Sequence, residues 1–186
     1  MSRIRVIQHE AAEGRLKEIY EGIVESRGQL AEVLKIQSLR PESITKHVDL
    51  YMEIMFTKSE LSRAQREMMA VIVSVANKCA YCATHHGSAL LHYWKDEEKL
   101  KTLKTDYPIL DISEKEMALC DFAHLLTLHP EANNKSDLTE NLRNTGWSDA
   151  AILDATLVVS YFNFVNRMVL TLGVELESDQ GKNYKY

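Results

Sequence analysis

The sequence predicts an all-α domain, and three observations lead to this fold class. The 186 residues include only 7 Gly and 3 Pro, so few residues interrupt long helices. Apolar side chains recur at helical spacing, and no segment alternates apolar and polar residues for long enough to indicate a strand. Hydrophobic residues make up 45% of the chain, which is ordinary for a globular protein, and we expect residues 1–186 to form a single domain.

Helix boundaries in the first half of the chain are marked by residues with known capping preferences. Gly and Asn favour the end of a helix, Pro favours its first turn, and Ser followed three residues later by Gln forms a capping box. The predicted helices are 10–25, ended by Gly28; one that begins at Pro41; one from the Ser62 and Gln65 capping box to Asn77; and one from about Cys79 to about His92.

The second half contains the same kinds of signal. The predicted helices are 117–128, between the Ser113 and Glu116 capping box and Pro130; 137–144, before Gly146; and 149–172, from Ser148 to Gly173. We expect residues 131–136 to form a polar loop. Residues 1–38 are predicted to be an N-terminal extension of the domain, and 177–186 a mobile polar tail.

Charge and hydropathy exclude several classes of protein. The net charge of -5 arises from interleaved acids and bases, whereas nucleic-acid binding needs a concentrated basic face, so we expect no nucleic-acid partner. The N-terminus lacks the apolar segment of a signal peptide, and the longest apolar run, Met68–Val73, is too short to span a bilayer. We therefore expect a cytoplasmic protein without a membrane partner, in which a close Cys pair indicates metal or redox chemistry.

The segment N-K-C-A-Y-C-A-T-H-H, residues 77–86, is the strongest chemical signal in the chain. On a helix, Cys79, Cys82 and His86 fall at positions i, i+3 and i+7 and share one face. Cys79 lies near the helix N-terminus, where exposed N–H groups favour a thiolate and lower its pKa. His86 lies one turn beyond Cys82 and is placed to accept its proton.

Glu67, in the preceding helix, is the predicted partner of His86. Its helix face continues through apolar residues, so the carboxylate is expected to point inward with a raised pKa, and in an antiparallel helix pair it would fix the His86 tautomer. In the alternative interpretation, Glu67 is a solvated edge residue that pairs with Arg66.

The residues alone leave three interpretations of the Cys pair open. It is a redox pair, a zinc site with His86 and either Glu67 or His85 as further ligands, or part of an inert core.

Other polar candidates are weaker. Cys120 is expected to be a buried small hydrophobe, and His47, His92, His124 and His129 to be surface or satisfied polar groups. Asn163, Asn166 and Arg167 form a polar spot that indicates a buried hydrogen-bond network or a subunit contact.

The spacing of Glu67, Cys79, Cys82 and His86 resembles the alkylhydroperoxidase D-like family of the carboxymuconolactone decarboxylase superfamily. The run L-S-R-A-Q-R-E-M-M-A-V-I-V-S-V-A-N-K-C-A-Y-C-A-T-H-H is similar to the uncharacterised peroxidase-related branch, and the resemblance extends over about residues 39–176. It implies an AhpD-like helical bundle that assembles as a homotrimer or homohexamer.

The resemblance also implies a chemistry. Cys82 would be the peroxidatic thiol that a hydroperoxide oxidises, Cys79 the resolving thiol, and His86 with Glu67 the proton relay. A dithiol reductant, of lipoyl type in the best-known case, would reduce the disulfide, and no cofactor or metal is required. One position departs from the family pattern, because Tyr81 stands where studied peroxidases have histidine.

Four other functions remain as alternatives to a thiol peroxidase. They are a zinc-binding helical protein, a related disulfide oxidoreductase without peroxidase activity, a non-redox lyase of the same superfamily, and an interaction scaffold with a vestigial site. The presence of the Cys pair counts against the lyase, because such members typically lack it.

Overall fold

The computed structural model describes residues 2–134 and 136–177. Its α-helices are α1 (Gly14–Arg27), α2 (Glu32–Lys35), α3 (Pro41–Phe56), α4 (Arg63–Ala76), α5 (Ala80–Trp94), α6 (Glu97–Asp106), α7 (Glu114–Leu128), α8 (Leu138–Asn144) and α9 (Asp149–Leu172). Short 3₁₀ helices form at His9–Ala11, Tyr107–Ile109 and Pro130–Asn134. Because the described ranges contain no strand, the predicted all-α fold is confirmed.

Helix α4 is the central helix of the molecule. Residues 66–74 are all buried, and the helix packs against α5, α7 and α9. A helix that is apolar on almost every side must be surrounded by protein, which explains why α4 lies in the main core. Two of its buried residues, Arg66 and Glu67, are charged, and these need partners.

Helices α1, α2 and α3 form a second, smaller apolar cluster. It contains Leu16, Ile19, Tyr20, Leu34 and Ile44. The predicted N-terminal extension, residues 1–38, contributes most of this cluster. The hydroxyl of Tyr20, buried within it, donates to the carbonyl oxygen of Ile7 over 3.1 Å and so ties the first residues to α1.

Most predicted helix boundaries are confirmed by their caps. The Ser62–Gln65 and Ser113–Glu116 capping boxes both form, and Gly28 and Gly173 end their helices with left-handed φ of 80° and 69°. Two helices, α2 and α6, were not predicted. The predicted polar loop at 131–136 differs as well, because residues 130–134 form a 3₁₀ helix; residue 135 lies outside the described ranges.

Helix α9 and Glu177 each differ from what hydropathy or the sequence pattern alone would indicate. Within the described ranges, α9 is the one helix long and apolar enough to cross a membrane, yet 44% of its most apolar window is buried within the protein itself. Glu177, the first residue of the predicted mobile tail, makes specific hydrogen bonds to α2 and α5. The rest of that tail, 178–186, lies outside the described residues.

Candidate active site

A three-residue turn joins α4 to α5 and makes them an antiparallel pair. This arrangement brings Glu67 of α4 to His86 of α5, as predicted, with Oε2 and Nδ1 2.7 Å apart. Glu67 has no solvent exposure, so the alternative of a solvated edge residue is wrong. The Phe162 ring meets the His86 imidazole edge-on, with centroids 4.4 Å apart, and so restrains its orientation.

Arg63, one turn before Glu67, is an unpredicted second partner of the carboxylate. Its Nε and Nη2 donate to Oε1 at 2.9 and 2.5 Å. The predicted alternative partner, Arg66, instead donates to the backbone carbonyls of Ile54, Thr57 and Leu61.

The predicted direction of the Glu67 pKa shift was wrong. Burial alone raises the pKa of this carboxyl, but His86 and Arg63 more than offset it, and the pKa lies below its usual value. Glu67 therefore stays ionised and accepts the Nδ1–H of His86. The imidazole is left with a free electron pair on Nε2, the tautomer that a general base needs.

The two sulfurs of the Cys pair lie 2.8 Å apart and are not bonded to each other. Cys79 is the N-cap residue of α5, and Cys82 lies in its first turn. A hydrogen bond with the Cys82 thiol lowers the pKa of Cys79, burial opposes this shift, and the Cys82 N–H adds to it. The same hydrogen bond, together with burial, raises the pKa of Cys82. In the resting arrangement, the first thiolate therefore forms at Cys79.

An apolar cavity of about 100 Å³ opens onto Cys82 and His86, whereas Cys79 does not line it. Its wall is formed by residues of α1, α2, α3, α5, α9 and the segment between α1 and α2: Arg27, Gln29, Ala31, Val33, Leu34, His47, Val48, Tyr51, Tyr81, Cys82, His85, His86, Tyr161, Phe162 and Val165. Within the described part of the chain, no hydrogen bond joins His86 to either sulfur. Such contacts often tighten only when substrate is bound.

A buried chain of three polar side chains reaches the same cavity. The Gln37 amide nitrogen donates to the Val33 carbonyl at 2.9 Å and lies 2.7 Å from His47 Nδ1, so Nδ1 must be the acceptor. His47 then carries its proton on Nε2 and donates to the Tyr161 hydroxyl at 2.7 Å. The hydroxyl proton of Tyr161 has no acceptor among the described residues, which leaves one donor at the cavity wall.

The side chain of Tyr81 is held by the C-terminal segment. Its hydroxyl donates to Glu177 Oε1 at 2.9 Å and accepts from the Val33 N–H at 3.3 Å. The second oxygen of Glu177 lies 2.8 Å from His85 Nε2. Burial alone raises the pKa of Glu177, but the hydrogen bonds from His85 and from the Glu32 N–H outweigh it and lower this pKa to about 2.

The arrangement of side chains favours thiol chemistry over the alternative zinc site. Both oxygens of Glu67 are engaged by Arg63 and His86, and His85 is engaged by Glu177, so each proposed fourth ligand already has another partner. Among the described residues, no group of three or more His, Cys, Asp or Glu side chains is arranged to hold a metal ion.

The remaining polar candidates from the sequence do not line the cavity. Cys120 is fully buried in α7, and burial raises its pKa. The polar spot on α9 forms a partly buried hydrogen-bond network, in which the Asn77 amide donates to Asn163 at 3.0 Å and to Asn166 at 3.2 Å. His92, His124 and His129 lie away from the cavity.

Sequence reasoning missed several residues at the site. The i−4 spacing of Arg63 from Glu67 is a helical ion-pair signal that could have identified it. Tyr161 lies 114 positions from His47, and no local pattern connects them.

Fold and site together define a class: an α-helical protein with a buried thiol pair beside a carboxylate–imidazole dyad. The comparisons show which proteins this chain is similar to. Residues 41–124 match the model of the carboxymuconolactone decarboxylase family. An uncharacterized peroxidase-related protein from Ralstonia eutropha JMP134, with an alkylhydroperoxidase AhpD core, superposes with a TM-score of 0.85 at 25% identity, over 97% of this chain and 94% of the other.

Two further proteins are similar to this chain. An uncharacterized peroxidase-related protein from Silicibacter sp. TM1040 has a TM-score of 0.82 at 26% identity and covers 98% of both chains. The uncharacterized protein YdfG of Bacillus subtilis (strain 168) is 23% identical over 144 residues, which are 77% of this chain and 96% of YdfG. The predicted resemblance is confirmed: the chain has an AhpD-like helical fold and is similar to peroxidase-related proteins.

Proposed function

We propose that this protein is a cysteine-based peroxidase that reduces a hydroperoxide at Cys82. The observation that supports it most strongly is the position of Cys82. This sulfur lines an apolar cavity, a second sulfur lies 2.8 Å behind it, and the Glu67–His86 dyad lies beside it. The groups that the proposed reaction needs as nucleophile, resolving thiol and base are thus close together.

The proposed reaction has two thiol steps. The Cys82 thiolate attacks one peroxide oxygen; an S–O bond forms, the O–O bond breaks, and the alcohol leaves with a proton. Cys79 then attacks the sulfenic sulfur; an S–S bond forms, the S–O bond breaks, and water leaves. The two thiols supply both electrons, and an external dithiol restores them by disulfide exchange.

The remaining side chains of the site have roles in proton transfer. Cys82 becomes the nucleophile when its proton moves to Cys79 or to His86 Nε2, and His86 can return a proton to the departing alkoxide. Glu67 holds the imidazole in the required tautomer. Tyr81 stands where the studied family members have a histidine, so this relay contains one histidine where theirs contains two.

A thiol count before and after one equivalent of hydrogen peroxide tests the proposal. We expect the native protein to lose two of its three thiols. Cys79→Ser should stop at a sulfenic acid on Cys82, which dimedone labels, and Cys82→Ser should consume no peroxide. Cys120→Ala is the matched control, because Cys120 is buried away from the cavity, and it should react like the native protein.

Two outcomes would contradict the proposal in different ways. Full peroxide turnover by Cys82→Ser would show that Cys82 is not the nucleophile. A pair that is oxidised by a small disulfide but not by peroxide would identify a disulfide oxidoreductase without peroxidase activity, the alternative that the Tyr81 substitution favours.

A further inference from the structure

We infer that the cavity selects substrates with a compact apolar body and an acidic group, and that Arg27 binds the acid. The inference deepens the proposed function by naming the substrate class of the same site. It rests on the charge of the cavity wall, on the partners of Arg27, and on the apolar lining next to Cys82.

The guanidinium of Arg27 has no carboxylate partner among the described residues. It lies half-buried at the end of α1 and lines the cavity. Its Nη1 lies 3.2 Å from the Met52 sulfur, a weak acceptor, and its guanidinium carbon is 5.1 Å from the centroid of the Tyr51 ring. Within residues 2–134 and 136–177, no Asp or Glu approaches it closely enough to form an ion pair. Most of its hydrogen-bonding capacity therefore remains for a ligand.

The other arginine near the site shows the contrast. Arg63 donates twice to Glu67 and does not line the cavity, so its charge is already compensated. The described wall of the cavity contains no Asp or Glu, and its other ionisable nitrogen groups are His47, His85 and His86. An anion that enters would therefore meet the guanidinium of Arg27 and no carboxylate on the described wall itself.

The rest of the wall suits an apolar body of limited size. Val33, Leu34, Val48, Phe162 and Val165 present aliphatic and aromatic surface. The unused hydroxyl proton of Tyr161 is a donor on the same wall, and it can hydrogen-bond to an oxygen of the reacting group. A substrate with an acid at one end and a peroxide at the other would satisfy both polar anchors.

A matched pair of peroxides tests the inference. Cumene hydroperoxide is neutral, and its para-carboxylate derivative differs from it only by that anionic group. We expect native kcat/KM to favour the carboxylate, and Arg27→Gln to lower kcat/KM for that substrate by about tenfold without changing the value for cumene hydroperoxide. Arg15→Gln is the control, since Arg15 lies on the same helix and pairs with Glu42 away from the cavity.

A binding measurement separates this inference from the proposed function. Calorimetry with 4-isopropylbenzoate, which has no peroxide, needs no turnover. We expect about tenfold weaker binding to Arg27→Gln than to native and Arg15→Gln protein, even if neither peroxide is consumed. Equal affinity for native and Arg27→Gln protein, or no binding to native protein, would overturn the inference. Circular dichroism melting of each variant shows whether it is folded.

Discussion

Glu67 is a fully buried carboxylate with two charged or ionisable partners, and the site is arranged around it. Its Oε1 is held by Arg63 and its Oε2 by His86. Removing one member of a buried charged group leaves the others without compensation, which costs more than the interaction itself contributed. Substitutions here should therefore affect both stability and chemistry, and the two must be measured separately.

Replacing the carboxylate by an amide tests its role in orienting His86. Glu67→Gln no longer provides a charged acceptor for Nδ1–H, so we expect peroxide turnover to fall by about 10²-fold. The melting temperature should fall as well, because Arg63 loses its ion pair. Glu53→Gln, an exposed change on α3, is the control. Native turnover by Glu67→Gln at a temperature where it is folded would show that the dyad has no chemical role.

His47 should make the protein sensitive to mild acid. Burial lowers the pKa of His47 to about 4, while the unfolded chain takes up this proton near 6.5. The unfolded state then binds more protons, so stability should decrease as the pH falls from 6.5 towards 4, by up to about 3 kcal/mol. Urea unfolding at several pH values measures this loss, and His47→Gln should flatten the slope. Parallel slopes for the two proteins would contradict this origin.

At the scale of elements, the turn between α4 and α5 positions the thiol pair. Lys78 occupies it with a left-handed φ of 58°, and the Cys79 N–H donates to the Ser74 carbonyl oxygen at 2.8 Å. The turn ends at Cys79, which is the N-cap residue of α5. Backbone geometry at a single residue thus determines where α5 begins.

Side-chain branching at position 78 should affect this turn strongly. A β-branched residue fits poorly in the left-handed region, whereas glycine adopts it freely. We expect Lys78→Val to be less stable than Lys78→Gly by about 1–2 kcal/mol. Chemical denaturation of both variants measures the difference, and equal midpoints and slopes would show that the turn tolerates branching.

Helices with strong caps and a wide apolar face could be predicted from the sequence, and others could not. Helix α6 buries Leu100 and Leu103 among many charged residues, so its apolar pattern is too sparse, although Asp96 does cap it. The Glu67–His86 contact could be predicted because one short turn joins the two helices. The pairing of His47 with Tyr161 depends on how distant helices pack, which local periodicity does not contain.

At the scale of the whole molecule, α9 leaves an apolar stripe on the surface. Leu153, Leu157 and Phe164 lie on one helical face and are 59%, 41% and 49% exposed. Helix α3 adds Leu50 and Phe56, which are 46% and 43% exposed. A stripe of this extent is typical of an interface, and we expect a second copy of the chain to cover it.

Assembly can be tested by placing charges on the stripe. The predicted homotrimer or homohexamer should appear in light scattering as three or six times the 21.3 kDa chain. Leu157→Glu combined with Phe164→Glu should shift the mass towards the monomer, since buried unpaired carboxylates oppose association. Lys101→Glu, an exposed change on α6, which is not part of the stripe, should leave the mass unchanged. A native protein that is already monomeric would contradict the expectation.

The depth of Cys82 has a consequence for how the proposed disulfide would be reduced. With 2% of the residue exposed, its sulfur is out of reach of a thiol fixed on the rigid surface of another protein. Disulfide exchange needs the attacking sulfur to approach along the S–S axis. The reducing thiol must therefore belong to a group narrow enough to reach the buried disulfide. A mobile dithiol arm, or a free small dithiol, meets that requirement. Bulky thiol reagents should accordingly undercount this pair, while small ones titrate it fully.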